Sequence, residues 1–307
     1  MTERLYIVGH PIAHSKSPVM YNAVYREAGL DWDYGAQDIE TPEKALEFLR
    51  SDAYLSVNIT TPYKPCGFEV ADILAASAKL SHGVNLLIRA KGKLLGYNVD
   101  GAGCISFLER MGVDFANARV AVCGTGPTSL AILHEAAVAG ANEVLLLGRD
   151  RARARRILER YLEEFRRIVS TAIMLPSPDK HHRDLQTTYD ETTFKFGTYE
   201  TSTKAISSAD IIIDATPLGM NEADAAPFAP ELIHEGQTIM DTVYGHGETA
   251  LVRTARERGA RAFDGAGMLV SQAAITATML SEVQDVDLKM DMDTLFATMA
   301  KAAGFSF

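Results

Sequence analysis

Three short segments concentrate groups that can bind and protonate a small polar molecule. Gly9-His10-Pro11-Ile12-Ala13-His14-Ser15-Lys16-Ser17-Pro18 is dense in hydroxyls at a strand-to-helix junction. Two serines beside a helix start can hold a carboxylate or sugar-like hydroxyls, although composition alone favours plain helix capping by Ser17. Asn58-Ile59-Thr60-Thr61-Pro62-Tyr63-Lys64 gathers amide, hydroxyl and ammonium groups at a strand end. Gly96-Tyr97-Asn98-Val99-Asp100-Gly101 does the same with a carboxylate. Surface lysines and aspartates are commonly just solvated, so one such loop alone carries little.

A fourth segment, Gly124-Thr125-Gly126-Pro127-Thr128-Ser129, lies between a strand and a helix. The first glycine allows a tight turn, and the second lets backbone approach a pyrophosphate that the helix N-terminus favours. Ser129 stands where a third glycine is usual, and an ordinary strand-to-helix turn explains the pair equally well. The following strand ends at Leu147-Gly148-Arg149-Asp150. An acidic residue there bonds a ribose 2′-hydroxyl, whereas an arginine accommodates a 2′-phosphate. Asp150 followed by Arg151, Arg153, Arg155 and Arg156 also reads as a helix cap and a solvated face.

The elements that must position these groups alternate. Strands are expected at 5–8, 55–59, 119–123, 143–147, 210–214, 238–243 and 261–263, and a hairpin at 84–89 and 93–97 around Lys91-Gly92. Helices are expected from Ser17-Pro18 to Gly29, over 42–50 with Thr41 as cap, and from 129 to 139 before Gly140. Residues 151–169 read as a strongly charged helix, and 176–203 as a polar insertion or irregular surface connection. Residues 268–280 are apolar at helical spacing and are expected to pack back on the first domain, with one further amphipathic helix in the tail. The alternation in the middle of the chain implies a mainly parallel, doubly wound sheet.

Composition narrows the class of protein. The 307 residues are 47% hydrophobic and 23% charged, enough for a sizeable core, and the formal net charge is −10. An acidic surface repels phosphate backbones and anionic lipids, so neither nucleic acid nor membrane is an expected partner. Cys66, Cys104 and Cys123 lack paired spacing, so neither a disulfide framework nor a metal site is expected. No run approaches the ~20 apolar residues of a membrane span, and the N-terminal apolar stretch is too short for a secretion signal. The expected location is the cytoplasm.

Taken in order, H-S-K-S-P (14–18), N-I-T-T-P-Y-K (58–64), V-N (84–85), G-Y-N-V-D-G (96–101), the glycine turn, A-T-P-L-G-M (215–220) and M-L-V-S-Q (268–272) resemble the shikimate dehydrogenase family, its quinate/shikimate branch included. The resemblance covers nearly the whole chain, weakest over 151–205 and in the C-terminal tail. It implies an α/β fold of two domains: a substrate domain, 1–103 plus 268–307, and a Rossmann-like dinucleotide domain, 104–267. It implies Lys64 and Asp100 as the catalytic pair, and Ser15, Ser17, Asn58, Thr60, Asn85, Tyr244 and Gln272 as substrate ligands. On the cofactor side it implies Gly124, Gly126, Arg149, Asp150, Thr216, Gly219, Met220, Gly265 and Met268. The substrate class it implies is a carboxylated cyclic polyol in the chorismate pathway of aromatic amino acid biosynthesis, handled by a monomer or homodimer.

Several positions depart from the family pattern. Tyr21 stands for a histidine, Leu86 and Val99 for threonines, Pro127 for a glycine and Gly148 for an asparagine. Two lost hydroxyls near a polyol site bear directly on substrate choice. Three readings follow: an NADP-dependent shikimate dehydrogenase, an NAD-dependent quinate/shikimate dehydrogenase, and a non-catalytic ligand sensor on the same scaffold. Retention of both Lys64 and Asp100 argues against the sensor. Arg149 tilts the cofactor towards NADP over NAD, and Asp150 opposes it.

Overall fold

The computed structural model describes residues 2–171 and 182–307. The chain divides into two compact units, Met1–Gly103 with Leu269–Phe307, and Cys104–Met268. No helix of the described residues is long and apolar enough to cross a membrane.

The first unit is built on strands β1 (Glu3–Gly9), β2 (Trp32–Asp38), β3 (Ser56–Ile59), β4 (Ile73–Leu74), β5 (Leu86–Ala90) and β6 (Lys93–Tyr97), in the order β2-β1-β3-β5-β6-β4. The first three are parallel, and β5 runs antiparallel to both β3 and β6. Helices α1 (Ser17–Ala28), α2 (Pro42–Arg50), α3 (Lys64–Val70) and α4 (Ala76–Ser81) follow their strands, and α5 (Asp100–Arg110) begins in this unit and ends in the second. Local chemistry explains the well-read ends. Pro18 sits in the first turn of α1, and Gly29 ends it at φ 75°. Thr41 caps α2 by accepting from the Lys44 N–H, 3.4 Å away. Lys91 and Gly92, at φ 48° and 73°, make the tight β5–β6 turn that a two-residue hairpin requires.

Besides β4 and helices α3, α4 and α5, strand β2 went unread. Trp32-Asp33-Tyr34-Gly35-Ala36-Gln37-Asp38 has few good strand formers, yet it forms the edge strand β2 along seven register pairs with β1. The Asn22 side chain of α1 substitutes for a missing neighbour: its amide donates to Tyr34 O and accepts from Tyr34 N–H, both at 2.9 Å.

The second unit has β7 (Arg119–Cys123), β8 (Glu143–Gly148), β9 (Thr193–Thr198), β10 (Ile211–Asp214), β11 (Thr238–Asp241) and β12 (Arg261–Phe263), all parallel, in the order β12-β11-β10-β7-β8-β9. Counted within the unit this is the doubly wound dinucleotide-binding order, with reversal beside its first strand. β10 and β11 are buried at every residue, as a sheet covered on both faces demands. Helices α6 (Pro127–Val138), α7 (Arg151–Thr171), α8 (Leu185–Glu191), α9 (Thr203–Ser207) and α10 (Ala250–Glu257) connect them.

Two expectations are corrected here. Helix α6 begins at Pro127 rather than 129, because proline lacks only an N–H that the first turn leaves unbonded anyway. The stretch 176–203 is not merely an irregular connection: its described part holds α8 and the edge strand β9. The charged helix α7 buries Ala154, Leu158, Tyr161 and Phe165 at helical spacing, and Phe194 of β9 packs on those rings. Residues 176–181 lie outside the described residues. The chain closes with α11 (Ala266–Gln284) and α12 (Met292–Ala303), and α12 packs on α1.

Candidate active site

In the first unit, Lys64 opens α3 and Asp100 opens α5. Gly67 lets α3 lie against β3: a Cβ there would stand 2.5 Å from Ile59 Cδ1, so a larger residue would push Lys64 outward. Lys64 Nζ donates to Asp100 Oδ2, with the two side chains only 14% and 10% exposed. The other carboxylate oxygen accepts from Asn85 Nδ2 at 2.6 Å. Asn85 Oδ1 in turn accepts from the Val99 N–H, and Asn98 Oδ1 accepts from the Asp100 N–H, at 2.9 and 3.1 Å. Asn98 is itself tied to Ser81 Oγ and to Gly83 O. The carboxylate is thus aimed by Lys64 and Asn85 and its backbone held by Asn98, which fixes the geometry a proton-transfer pair needs. Asn85, expected as a substrate ligand, also braces Asp100. Asn98 is a second brace that motif reading did not single out.

The hydroxyl-rich turn does not cap its helix. Lys16 occupies the cap position of α1 without a side-chain bond, and Ser17 is the first helical residue, 2% exposed. Ser15 Oγ accepts from the Ser17 N–H at 3.2 Å. Capping by Ser17, the simplest sequence explanation, therefore fails. Asn58 is buried on β3, and its Oδ1 accepts from Tyr34 OH at 2.8 Å, which turns the amide nitrogen the other way. Tyr34 is stacked on Tyr21, centroids 4.3 Å apart and planes within 11°. Burial pushes the Tyr34 phenol well up, so it stays a donor. Thr60 follows β3 half-buried, and Gln272 on α11 donates to Leu269 O at 2.8 Å. Gly103 lets α5 approach α11 at Gln272, since a Cβ would come within 2.9 Å of that residue's Cα. Tyr34 was missed by motif reading because it acts through Asn58 rather than from a recognisable motif.

In the second unit, Gly124 sits at φ 108°, and a Cβ there would meet Ala215 O at 3.0 Å. A Cβ on Gly126 would meet nothing within 4 Å, so the backbone at the start of α6 faces open space with no side chain capping it. That is the cradle a pyrophosphate needs, at the positive end of a twelve-residue helix. Ser129, in the third glycine's place, turns its hydroxyl to Cys123 O at 3.5 Å and so faces the strand.

At the end of β8, Asp150 takes up a helix-cap contact. Asp150 Oδ1 accepts from the Arg153 N–H at 3.0 Å and caps α7, and this bond holds its carboxyl below the usual range. Arg151 lies over the Phe196 ring at 5.1 Å, and Arg155 pairs with Glu159. Arg149 is exposed and makes no hydrogen bond or ion pair among the described residues. It is available to a 2′-phosphate.

The remaining cofactor-side residues lie at strand ends of this unit. The Thr216 N–H donates to Asp214 Oδ1 at 2.9 Å, and Gly219, at φ 98°, is pressed against Thr249. Met220 is 46% exposed. Gly265 is obligatory, since a Cβ would fall 2.1 Å from Thr242 O, and Met268 is buried. Tyr244, expected at the substrate, belongs to this unit and is half-buried, and burial raises its phenol.

A doubly wound unit with a pyrophosphate cradle, in one chain with a braced lysine–carboxylate pair, defines a nicotinamide-dependent oxidoreductase. Residues 7–87 match the shikimate dehydrogenase substrate binding domain. The chain is 32% identical over 270 residues to a shikimate dehydrogenase (NADP(+)) of Methanothermobacter thermautotrophicus, covering 87% of this chain and 86% of the relative. It therefore belongs to the shikimate dehydrogenase family. Its fold is that of the Thermus thermophilus shikimate 5-dehydrogenase solved with NADP(H) and shikimate, at TM-score 0.75 and 23% identity over 98% of this chain and 99% of that one. The 5-ketofructose reductase of a Gluconobacter strain shares it too, at TM-score 0.73 and 23% identity over 98% and 99%. The architecture alone thus does not fix the substrate.

Proposed function

We propose that this protein catalyses the reversible NADP-dependent interconversion of shikimate and 3-dehydroshikimate. The observation that carries the reading is the Lys64–Asp100 pair, nearly buried and braced by Asn85. The first unit takes the substrate and the second the dinucleotide. Ser15 and Ser17 donate to the ring carboxylate, while Asn58, Thr60, Asn85, Gln272 and Tyr244 bind the carboxylate or ring hydroxyls. On oxidation the carbinol hydroxyl gives its proton to the Lys64–Asp100 pair; on reduction the pair returns it to the carbonyl oxygen. The dinucleotide, when bound along Gly124 and Gly126, supplies the hydride acceptor or donor. Thr216, Gly219, Met220, Gly265 and Met268 surround its nicotinamide end, and Arg149 holds its 2′-phosphate. The enzyme acts in the cytoplasm on the route to aromatic amino acids.

A steady-state assay crossing shikimate and quinate with NADP+ and NAD+ tests the reading. The expected outcome is highest kcat/KM for shikimate with NADP+. Faster turnover of quinate with NAD+ overturns it in favour of the other branch, and no turnover of either acid overturns the substrate class.

The carboxylate anchor gives a separate expectation. Each lost hydrogen bond to a charged group costs ~1.5–3 kcal/mol. Replacing Ser15 and Ser17 together by alanine should raise KM for shikimate more than tenfold with KM for the cofactor unchanged. An unaltered shikimate KM places the carboxylate elsewhere.

A further inference from the structure

Two buried aspartates lie side by side in the second unit. Asp214 ends β10 and Asp241 ends β11, and the parallel register makes them direct cross-strand neighbours. They are 0% and 1% exposed. Each holds the loop that follows it. Asp214 Oδ1 accepts from the Thr216 N–H, and Asp241 Oδ1 from the Val243 N–H, both at 2.9 Å. Asp241 Oδ2 accepts from the Thr249 hydroxyl at 2.7 Å, and Thr249 also caps α10 and presses on Gly219. Asp214 Oδ2 has no hydrogen-bond partner among the described residues, though it lines a narrow recess with Asp241, Asp224, Gly219 and Thr249.

Two adjacent buried carboxylates repel, and an unpartnered buried carboxylate oxygen is costly. A proton on Asp214 Oδ2, donated to the Asp241 carboxylate, removes both penalties. We infer that Asp214 and Asp241 form one positioning unit for the loops carrying Thr216, Gly219, Met220 and Tyr244, complete only while the two carboxyls share a proton. The inference rests on the dinucleotide reading only for its consequence on cofactor affinity. Burial, then the charge of Asp241, raises the Asp214 carboxyl to about 7, and burial also raises that of Asp241. Among the described residues, the titratable groups facing the pair are Cys123 on β7, Tyr199 after β9, Asp224 in the loop after β10, and Asp264 against Asp241, and none of these brings positive charge.

The sign follows from linkage. Between the ordinary value of 3.8 and about 7, the folded protein holds a proton that the unfolded chain has released. Stability attributable to the pair therefore falls as pH rises across that window and levels off above it. Asp214→Asn supplies a neutral donor at every pH. Thermal unfolding of the ligand-free protein from about pH 5 to pH 8 should show Tm falling by several degrees more in wild type than in Asp214→Asn. Glu135, also raised to about 7 by burial, titrates in both proteins and cancels. Parallel Tm profiles overturn the inference. Should Asp214→Asn not fold, wild type labelled with carbon-13 aspartate decides. An infrared band of an un-ionised aspartic acid at about pH 6 that vanishes by about pH 8 supports the shared proton, and its absence overturns it.

The consequence for the site is read by NADP+ titration. The wild-type Kd should rise roughly fivefold more than that of Asp214→Asn between about pH 6 and pH 8. Titration of the cofactor's own 2′-phosphate is common to both proteins. Equal rises overturn the positioning role, whereas differing Tm profiles with no dinucleotide binding at any pH overturn the proposed function and leave the proton pair standing.

Discussion

Lys64→Ala and Asp100→Ala should each lower kcat by ~10²–10⁴-fold, the usual worth of a general acid–base group. Both side chains sit at the first residue of a helix, so truncation leaves α3 and α5 able to form. The two residues are bonded to each other and nearly buried, so removing one strips the other of its counter-charge. They should therefore behave as a unit: the double variant should be little worse than the poorer single one. Asn85→Ala offers a graded control, because it removes one bond to Asp100 Oδ1 while leaving the ion pair in place, and a smaller loss of kcat is expected. Circular dichroism and Tm check that the fold survives. Near-normal turnover in either Lys64→Ala or Asp100→Ala removes the pair from the chemistry, and strictly multiplicative losses remove the claim that they act together.

How far the sequence disclosed this arrangement depended on range. Signals that act over a few residues were legible: Thr41 before Pro42, Gly29 after α1, and Lys91-Gly92 between two apolar runs. The buried strands of the second unit were legible because a sheet covered on both faces needs continuous apolar runs. The edge strands β2 and β9 were not, although the edge strand β12 was. β2 depends on the Asn22 side chain and on β1 beside it, and β9 depends on rings of α7. The site divides in the same way. Lys64, Asp100, Ser15 and Ser17 stand in dense local motifs. Tyr34 meets Asn58 only because β1 lies between their strands, and Asp214 meets Asp241 only through parallel register. Neither pairing has a trace in local spacing. The same holds for Asp150, whose residue type allows a ribose ligand and a helix cap alike; the direction of its carboxylate decides.

That direction sets the expectation for the cofactor. Asp150 Oδ1 is engaged at the start of α7, so that oxygen is not offered to a ribose 2′-hydroxyl. Arg149, one residue earlier at the end of β8, is exposed and unbonded among the described residues. An arginine fork on a phosphate is a strong charge-assisted contact, and an alanine cannot replace it. Arg149→Ala should therefore lower kcat/KM with NADP+ by roughly 10–100-fold, mostly through KM, with NAD+ use nearly unchanged. The loss should shrink at high salt, because the contact lies at the surface. Asp150→Ala should lower Tm by removing the cap of α7, without selectively damaging NAD+ turnover. Steady-state kinetics with both dinucleotides on wild type and the two variants separates the cases. If Arg149→Ala leaves NADP+ use intact while Asp150→Ala cripples NAD+ use, the carboxylate reads a ribose in solution and the enzyme prefers NAD.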